Sequence, residues 1–99
     1  MILAKVVGTV VSTQKEQSME GLKFLILQQV DLEAKATGGF VIAADAVGAG
    51  IGEYVLYATG SSARQTTRTN QKPCDAVVMA IVDNWEVQGK FKYKKGQDD

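Results

Sequence analysis

A glycine-rich segment in the middle of the chain, residues 43–64 (AADAVGAGIGEYVLYATGSSAR), constrains the fold more than any other stretch. It holds four of the ten glycines: Gly48, Gly50, Gly52 and Gly60. Glycines spaced two apart are expected where a backbone needs positive φ or where a second backbone comes close. The run Tyr54–Ala58 has the aromatic and β-branched residues of a strand, and Gly60 with two serines ends it. The segment therefore predicts a strand, a tight glycine turn, a second strand and a compact polar corner.

Short apolar segments separated by turn residues recur along the chain and predict an all-β fold. Five of them are predicted strands: Ile2–Ser12, Leu22–Val30, Phe40–Ala44, Tyr54–Ala58 and the apolar run AVVMAIV, residues 76–82, within Cys74–Val87. Helical periodicity is almost absent, apart from a short turn at Ala63–Gln65 that Ser61 or Ser62 can cap. Five strands with at most one helical turn fit a small OB-like barrel. We expect a single domain over residues 1–99, with the tail 89–99 as an added edge strand or a flexible end.

Three details of these segments bear on packing. Gly8 lies inside the first strand, where a glycine often marks a bulge or a barrel corner. The centre of the second strand, Phe24–Leu27, is apolar on both faces, as expected for a barrel whose outer wall meets a neighbour. The polar stretches Asp31–Gly39 and Thr66–Lys72 are predicted loops, and Pro73 is expected to stiffen the entry to the fifth strand.

The charge balance and the missing residue types narrow the function classes. Basic and acidic residues each number 11, so the net charge is zero, whereas nucleic-acid binders of this size usually carry a basic excess. The absence of histidine removes the commonest general base and metal ligand. A single cysteine suits a reducing compartment, and the N-terminus lacks the basic region of a signal peptide. We therefore expect a soluble intracellular protein without a membrane-spanning segment.

Two motifs resemble chemical sites but lack the context that such sites require. The loop Gly48–Gly52 has the spacing of a phosphate loop, yet strand-forming residues follow it instead of a helix. The corner Gly60–Arg64 places two serines beside a cation, but no histidine or nearby lysine can activate a hydroxyl. A structural turn and a capped corner, in which Arg64 pairs with a carboxylate through its planar fork, are favoured.

The acidic residues and the cysteine also have structural interpretations. Asp45, Asp75 and Asp83 each border an apolar strand, and two close carboxylates can do acid–base chemistry. Nothing in the sequence brings them together, so Asx turns or pairing with Arg64 are the favoured roles. Cys74 is expected to be a small buried residue rather than a reactive thiolate. We expect no catalytic residue, no bound metal and no cofactor.

The basic tail leaves two interpretations open. In GKFKYKK, residues 89–95, lysines alternate with Phe91 and Tyr93, as in grooves that bind single-stranded nucleic acid. The same alternation is typical of an exposed edge strand, which the neutral chain favours. The alternative function is a monomeric OB-fold module that binds single-stranded nucleic acid through Lys90–Lys95. Trp85 fits either the core or an assembly contact.

Four segments, in the same order along the chain, carry a resemblance to a known family. They are Ala4–Lys15, Ala44–Gly50 (D-x-V-G-A-G) with Glu53 and Val55-Leu56, Gly60–Arg64 (G-S-x-A-R), and Asp75–Asp83. Together they cover nearly the whole chain. The chain resembles the EutN/CcmL family of bacterial microcompartment vertex proteins.

The resemblance implies a fold, an assembly and a role. A small β-barrel is expected to form a homopentamer with a narrow central opening, which caps the five-fold corners of a polyhedral shell in the bacterial cytoplasm. The implied partners are copies of the chain itself and separate hexameric shell proteins, with neither nucleic acid nor membrane involved. The implied role is structural and not enzymatic. Carboxysomal members tend to have tryptophan at Tyr54 and arginine at Thr59, so these departures favour a metabolosome.

Six residues are expected at the subunit interface or a structural corner: Asp45, Gly48, Gly50, Ser61, Ser62 and Arg64. A five-fold ring repeats one heterologous interface until the rotation closes. Gly48 and Gly50 would let the backbone of one subunit pack closely on the next. Arg64 is expected to anchor the corner through charge-assisted hydrogen bonds, to Asp45 of its own or of a neighbouring chain.

Overall fold

The computed structural model describes residues 1–70, 72 and 74–96 and shows five strands closed into a barrel. The strands are β1 (Ile2–Val10), β2 (Phe24–Val30), β3 (Ala36–Asp45), β4 (Tyr54–Thr59) and β5 (Ala76–Ile81). Around the barrel they follow the order β1-β2-β3-β5-β4, and β4 pairs with β1. Neighbours are antiparallel except β3 and β5, which are parallel. The predicted five-stranded all-β barrel is confirmed, while Pro73 and the end of the tail, 97–99, lie outside the described residues.

The hydrophobic core fills the barrel because alternate residues of each strand point inward. Ten buried residues form it: Ala4, Val6, Leu25, Leu27, Ala43, Ala49, Val55, Tyr57, Ala76 and Val78. The Tyr57 hydroxyl accepts a hydrogen bond from Gln29 Nε2 at 2.7 Å, so this buried polar group is satisfied. Gly8 lies at a shift in the pairing of β1 with β2, where a bulge was predicted.

The helical turn predicted near the polar corner is longer than expected and differently capped. In place of a turn at Ala63–Gln65, the structure has a five-residue 3₁₀ helix, Gly60–Arg64. The residue at its N-cap is Thr59, whose side chain makes no capping hydrogen bond. The predicted cap from Ser61 or Ser62 is therefore wrong, because both serines lie inside the helix.

A second 3₁₀ helix, Gln17–Met19, lies in the connection between β1 and β2 and was not predicted. The Glu16 carboxylate caps this helix by accepting a hydrogen bond from the Ser18 amide at 2.8 Å. A helix of three residues has no apolar periodicity, so the sequence pattern could not reveal it.

Strand β3 begins earlier than predicted. The expected loop Asp31–Gly39 is too long, because β3 starts at Ala36. The pairing of β3 with β2 shifts register between Gln28 and Val30, and the Gln28 side-chain amide donates to the Thr37 carbonyl at 2.8 Å. This hydrogen bond satisfies a strand carbonyl at the irregularity, so a segment with two glycines still forms a strand.

The predicted fifth strand, the apolar run at residues 76–82, is confirmed as β5, but the strand that follows it was not predicted. The next residues form β6 (Asn84–Val87), which pairs with β7 (Lys90–Lys94) in a separate two-stranded sheet. The turn residues Gln88-Gly89 have φ values of 53° and 82°, the positive values of a tight two-residue hairpin. The basic tail thus contributes one strand of a C-terminal hairpin.

An aromatic cluster attaches this hairpin to the barrel. Tyr54 on β4 lies against Trp85 and Tyr93, with ring centroids 5.5 and 4.5 Å from its own. The Trp85 Nε1 atom also donates to the Leu32 carbonyl at 2.9 Å. Trp85 therefore belongs to the packing between hairpin and barrel.

We expect Trp85→Ala to lower the free energy of unfolding by about 2 kcal/mol, because aromatic contacts and the hydrogen bond to Leu32 are lost together. Urea unfolding followed by circular dichroism measures the difference. The control is Phe91→Ala on the same hairpin, where Phe91 is 52% exposed. That control should change stability by less than about 0.5 kcal/mol. Equal losses in the two variants would show that the cluster does not hold the hairpin.

Candidate functional site

The Asp45 carboxylate holds the turn that leaves β3. Asp45 is 6% exposed, and its Oδ1 atom accepts hydrogen bonds from the amides of Val47 and Gly48 at 3.0 Å and of Ala49 at 3.3 Å. The Asp45 amide donates to the Lys23 carbonyl at 2.8 Å, next to the start of β2. Three amide donors compensate the burial of a carboxylate. Asp45 thus makes the Asx turn that its position predicted.

The glycine loop that follows Asp45, residues 46–53, closes one end of the barrel. Ala49 at its centre is 3% exposed and packs in the core. The Gly52 amide donates to the Val6 carbonyl at 2.8 Å, which ties the loop to β1. Gly48 and Gly52 have φ values of 80° and 93°, which residues with side chains rarely adopt. Strand β4, and not a helix, follows the loop, so it is a structural turn.

Glu53 connects the glycine loop with the C-terminal hairpin. Its Oε1 atom accepts from the Gly50 amide at 2.6 Å, and its Oε2 atom pairs with the Lys95 ammonium at 2.6 Å. These hydrogen bonds, the one from Lys95 first, hold the pKa of the Glu53 carboxyl below its usual value, so it is ionised at neutral pH. Sequence reasoning missed the ion pair because its two partners are 42 residues apart.

The arginine corner is the 3₁₀ helix Gly60–Arg64, packed on the outside of the barrel. Ala63 is fully buried in a second apolar cluster there, and Cys74 belongs to the same cluster. The Arg64 Nη1 atom donates to the Cys74 carbonyl at 3.2 Å. Among the described residues Arg64 forms no ion pair, so the contact with Asp45 of the same chain is absent there. A contact with a neighbouring chain stays a prediction.

A buried threonine supports this corner. Thr69 is 0% exposed, its hydroxyl donates to the Ala63 carbonyl at 2.6 Å, and its amide donates to the Thr66 hydroxyl at 3.0 Å. The sequence predicted only a polar loop here, since tertiary contacts decide which hydroxyl of an all-polar segment is buried. Ser61 and Ser62, by contrast, are exposed.

The titratable groups are dispersed. Within residues 1–70, 72 and 74–96, no group of three or more histidine, cysteine, aspartate or glutamate side chains could hold a metal ion. Burial raises the pKa of the Cys74 thiol, which is therefore protonated at neutral pH and a poor nucleophile. No helix in the described part of the chain is long and apolar enough to cross a bilayer.

Side chains of the basic tail contact other parts of the chain through aromatic packing and salt bridges. Tyr93 packs in the aromatic cluster, and Lys92 and Lys95 form salt bridges at 3.0 and 2.6 Å with glutamates outside the hairpin. Phe91 is exposed, but one aromatic side chain is not a stacking groove for successive bases. This arrangement offers no support for the nucleic-acid alternative.

Comparison with known proteins assigns the chain to a family. A family model described as ethanolamine utilisation protein EutN/carboxysome matches residues 1–83, which contain all five barrel strands. The chain belongs to the EutN/CcmL family. The resemblance carried by the four sequence segments is thereby confirmed, and the C-terminal hairpin lies beyond the matched residues.

Three relatives within the EutN/CcmL family show how far the likeness extends. The carboxysome shell vertex protein CcmL of Nostoc sp. is 49% identical, covers 96% of this chain and 95% of its own, and its structure has a TM-score of 0.91. The bacterial microcompartment shell vertex protein EutN of Salmonella typhimurium is 39% identical, with 96% of each chain covered. GrpN of Rhodospirillum rubrum, a pentameric microcompartment shell protein, has a structure with 42% identity and a TM-score of 0.79, covering 88% of this chain and 100% of its own.

The six residues predicted for the interface all lie within residues 1–83, which the family model matches, and they fall into two groups. Asp45, Gly48 and Gly50 lie in or next to the glycine loop, and Ser61, Ser62 and Arg64 lie in the arginine corner. In the described part of the chain no hydrogen bond or ion pair joins the two groups. The six residues therefore belong to two different elements of the chain, with β4 between them.

We expect Asp45→Ala to lower the free energy of unfolding by about 3 kcal/mol, because three loop amides lose their acceptor. Asp45→Asn keeps an acceptor oxygen and should lose clearly less, which separates the hydrogen bonds from the charge. Asp83→Ala, at an exposed position, is the control and should stay within about 0.5 kcal/mol of the unmodified chain. Urea unfolding measures all three, and an Asp45→Ala variant as stable as the control would contradict the role of this carboxylate.

Proposed function

We propose that this chain is a structural protein of a bacterial microcompartment shell and forms homopentameric vertices in the bacterial cytoplasm. The observation that carries the proposal is the family match over residues 1–83, because CcmL, EutN and GrpN are each named a shell vertex protein. The GrpN structure is described as pentameric. The proposed role has no catalytic step and no cofactor, and the proposed partners are further copies and hexameric facet proteins.

We propose a carboxysome rather than a metabolosome as the compartment. The CcmL relative is 49% identical and the EutN relative 39%, although both comparisons cover 96% of this chain. The sequence-based preference for a metabolosome depended on Tyr54 and Thr59. Tyr54 has a local role here, packing on Trp85 and Tyr93, which another aromatic residue could also fill, so this position discriminates poorly.

The glycine loop and the arginine corner have properties that suit a close subunit interface. Gly48 and Gly50 are exposed and carry no side chain, so another backbone can approach the loop at these two positions. Arg64 is exposed and donates one N–H group to Cys74, so further N–H groups of its five-donor fork can bind a carboxylate of a neighbouring copy. Asp45 is already engaged by its own loop, so we propose a different carboxylate as the partner.

We expect the purified chain to be a pentamer by native mass spectrometry at micromolar concentration, and Gly50→Leu and Arg64→Ala to shift it toward monomers. Gly50 is the more informative glycine, because an added Cβ would meet only Glu53 Oε1, at 3.5 Å, in its own chain. Gly48 has a φ of 80°, so any replacement there also strains the monomer. Arg68→Ala removes another exposed arginine and is the control.

The oligomeric state of the wild type and the effect of the two substitutions test different claims. A wild-type monomer at every concentration would contradict the vertex proposal. A pentamer that resists dilution equally well in Gly50→Leu, Arg64→Ala and wild type would leave the vertex proposal standing. It would show that the interface lies outside the glycine loop and the arginine corner.

We also expect the chain to close shells built from the hexameric facet protein of a carboxysome. A flat hexagonal layer closes into a polyhedron only where five-fold units replace six-fold ones, so electron microscopy should show closed particles with this chain and open layers without it. The matched comparison uses the facet protein of an ethanolamine metabolosome. If this chain closed shells of the metabolosome facet protein but not shells of the carboxysome facet protein, the carboxysome assignment would be contradicted.

A further inference from the structure

A cleft of about 560 Å³ lies where the C-terminal hairpin meets the barrel and the glycine loop. Four lysines and one glutamate line it: Lys5 on β1, Glu53 at the end of the glycine loop, and Lys92, Lys94 and Lys95 in and directly after β7. The name "lysine cleft" is used below for this cavity. Binding sites for small molecules have volumes of roughly 300–1,000 Å³, so the lysine cleft is large enough to hold one.

The lysine cleft concentrates positive charge in a chain whose net charge is zero. Four lysines against one glutamate give its lining a charge of +3. Lys92 pairs with Glu33, which lies outside the lining, and counting that carboxylate as well leaves +2. A concave surface of one sign focuses the electric field and attracts ions of the opposite sign. The lysine cleft therefore favours an anion.

Two ion pairs hold ammonium groups in place at the lysine cleft. The Lys92 ammonium lies 3.0 Å from Glu33 Oε2, and the Lys95 ammonium lies 2.6 Å from Glu53 Oε2. Each ammonium has three N–H donors, and a single ion pair uses one of them. Donors therefore remain on two groups that the fold already positions, which lowers the entropic cost of binding a ligand.

Lys5 supplies a charge that no carboxylate compensates within the described part of the chain. Lys5 is half-buried, and its ammonium lies over the Tyr54 ring, 5.5 Å from the centroid. A cation on an aromatic face keeps its N–H donors for a ligand. The Lys94 ammonium instead lies over the exposed ring of Phe91, 4.3 Å from the centroid, and adds charge nearby.

Tyr93 adds a neutral donor to the lining of the lysine cleft. Among the described residues its hydroxyl makes no hydrogen bond. Burial raises the pKa of the Tyr93 phenol, so the hydroxyl keeps its proton at neutral pH. A protonated hydroxyl can donate to an anionic oxygen. The lysine cleft thus combines ammonium charges with a hydroxyl donor.

We propose that the lysine cleft binds the phosphate group of a small molecule. Lysine ammonium groups are common phosphate ligands, and a phosphate monoester carries a charge of about −1.5 to −2 at pH 7, which matches the excess of the lining. Ala34, Ile51 and Gly52 also line the cleft and leave room for the uncharged part of such a ligand. A single cavity holds one phosphate group, whereas nucleic-acid binding uses a groove that follows several. The site lies within one chain, so it does not require the proposed pentamer.

The test is Lys5→Met, compared with Lys5→Arg and Lys90→Met, in titrations with glycerol 3-phosphate. Lys5→Met removes the uncompensated charge, whereas Lys5→Arg keeps a cation over the Tyr54 ring. Lys90 is exposed on the same hairpin and does not line the cleft. Nuclear magnetic resonance follows the backbone amides of Gly52 and Tyr93, and sodium chloride at equal ionic strength is the blank. Circular dichroism and thermal melting check that each variant folds.

Glycerol 3-phosphate should shift both amide signals to saturation, and sodium chloride should not. Lys5→Met should raise the dissociation constant by about tenfold, because one ammonium–phosphate contact is lost. Lys5→Arg and Lys90→Met should stay within about twofold of wild type, since the first keeps the charge and the second removes a charge that water screens. If Lys5→Met does not fold, Tyr93→Phe removes only the hydroxyl and should raise the constant by about fivefold.

Three results would overturn the phosphate site. Amide shifts that sodium chloride reproduces would show general charge screening instead of a site. A dissociation constant that is unchanged in Lys5→Met, or raised equally in Lys90→Met, would remove the assignment to the lysine cleft. A single-stranded oligonucleotide that binds more tightly through the same amides would make nucleic acid the ligand. Inorganic phosphate that binds as tightly as glycerol 3-phosphate would support the site and identify the free ion as its ligand.

Discussion

The carboxylate of Asp45 lies where the chain leaves β3, and the placement of the glycine loop depends on it. Asp45 is the last residue of β3 and stands opposite Val78 in the parallel pairing with β5. Two parallel strands cannot be joined by a tight turn, so a long connection, residues 46–75, must separate them. By binding three amides of the glycine loop, Asp45 sets the direction in which that connection leaves the sheet.

The glycine loop and the arginine corner both lie in this connection and are held by the chain's own hydrogen bonds. The glycine loop is fixed by Asp45, by Glu53 and by the placement of Ala49 in the core. The arginine corner follows β4 and is held by the buried hydroxyl of Thr69. Surfaces ordered before association lose little conformational freedom on binding, so more of the contact energy is available for assembly.

Patterns that depend on neighbouring residues were predictable, and contacts between distant residues were not. The apolar centre of β2, the glycine turn and the Asx turn at Asp45 follow from alternation and from local turn chemistry. The ion pair of Glu53 with Lys95 and the burial of Thr69 depend on segments that only the folded barrel brings together. The pairing of β6 with β7 belongs with these, because the apolar pattern of β5 does not specify which strand the following residues pair with.

The amino-acid sequence alone specified an all-β barrel, its glycine loop, the lack of histidine chemistry and the family, because these follow from residue type, spacing and order. The folded structure decided which face of each strand points outward and which long-range contacts form. Which side chains of β1, β2 and β3 point outward became clear only once the register of these strands was known, since a shift by one residue would turn them into the core. Likewise, the hydrogen bond from Arg64 to the Cys74 carbonyl, in place of an ion pair within the described residues, is a result of tertiary packing.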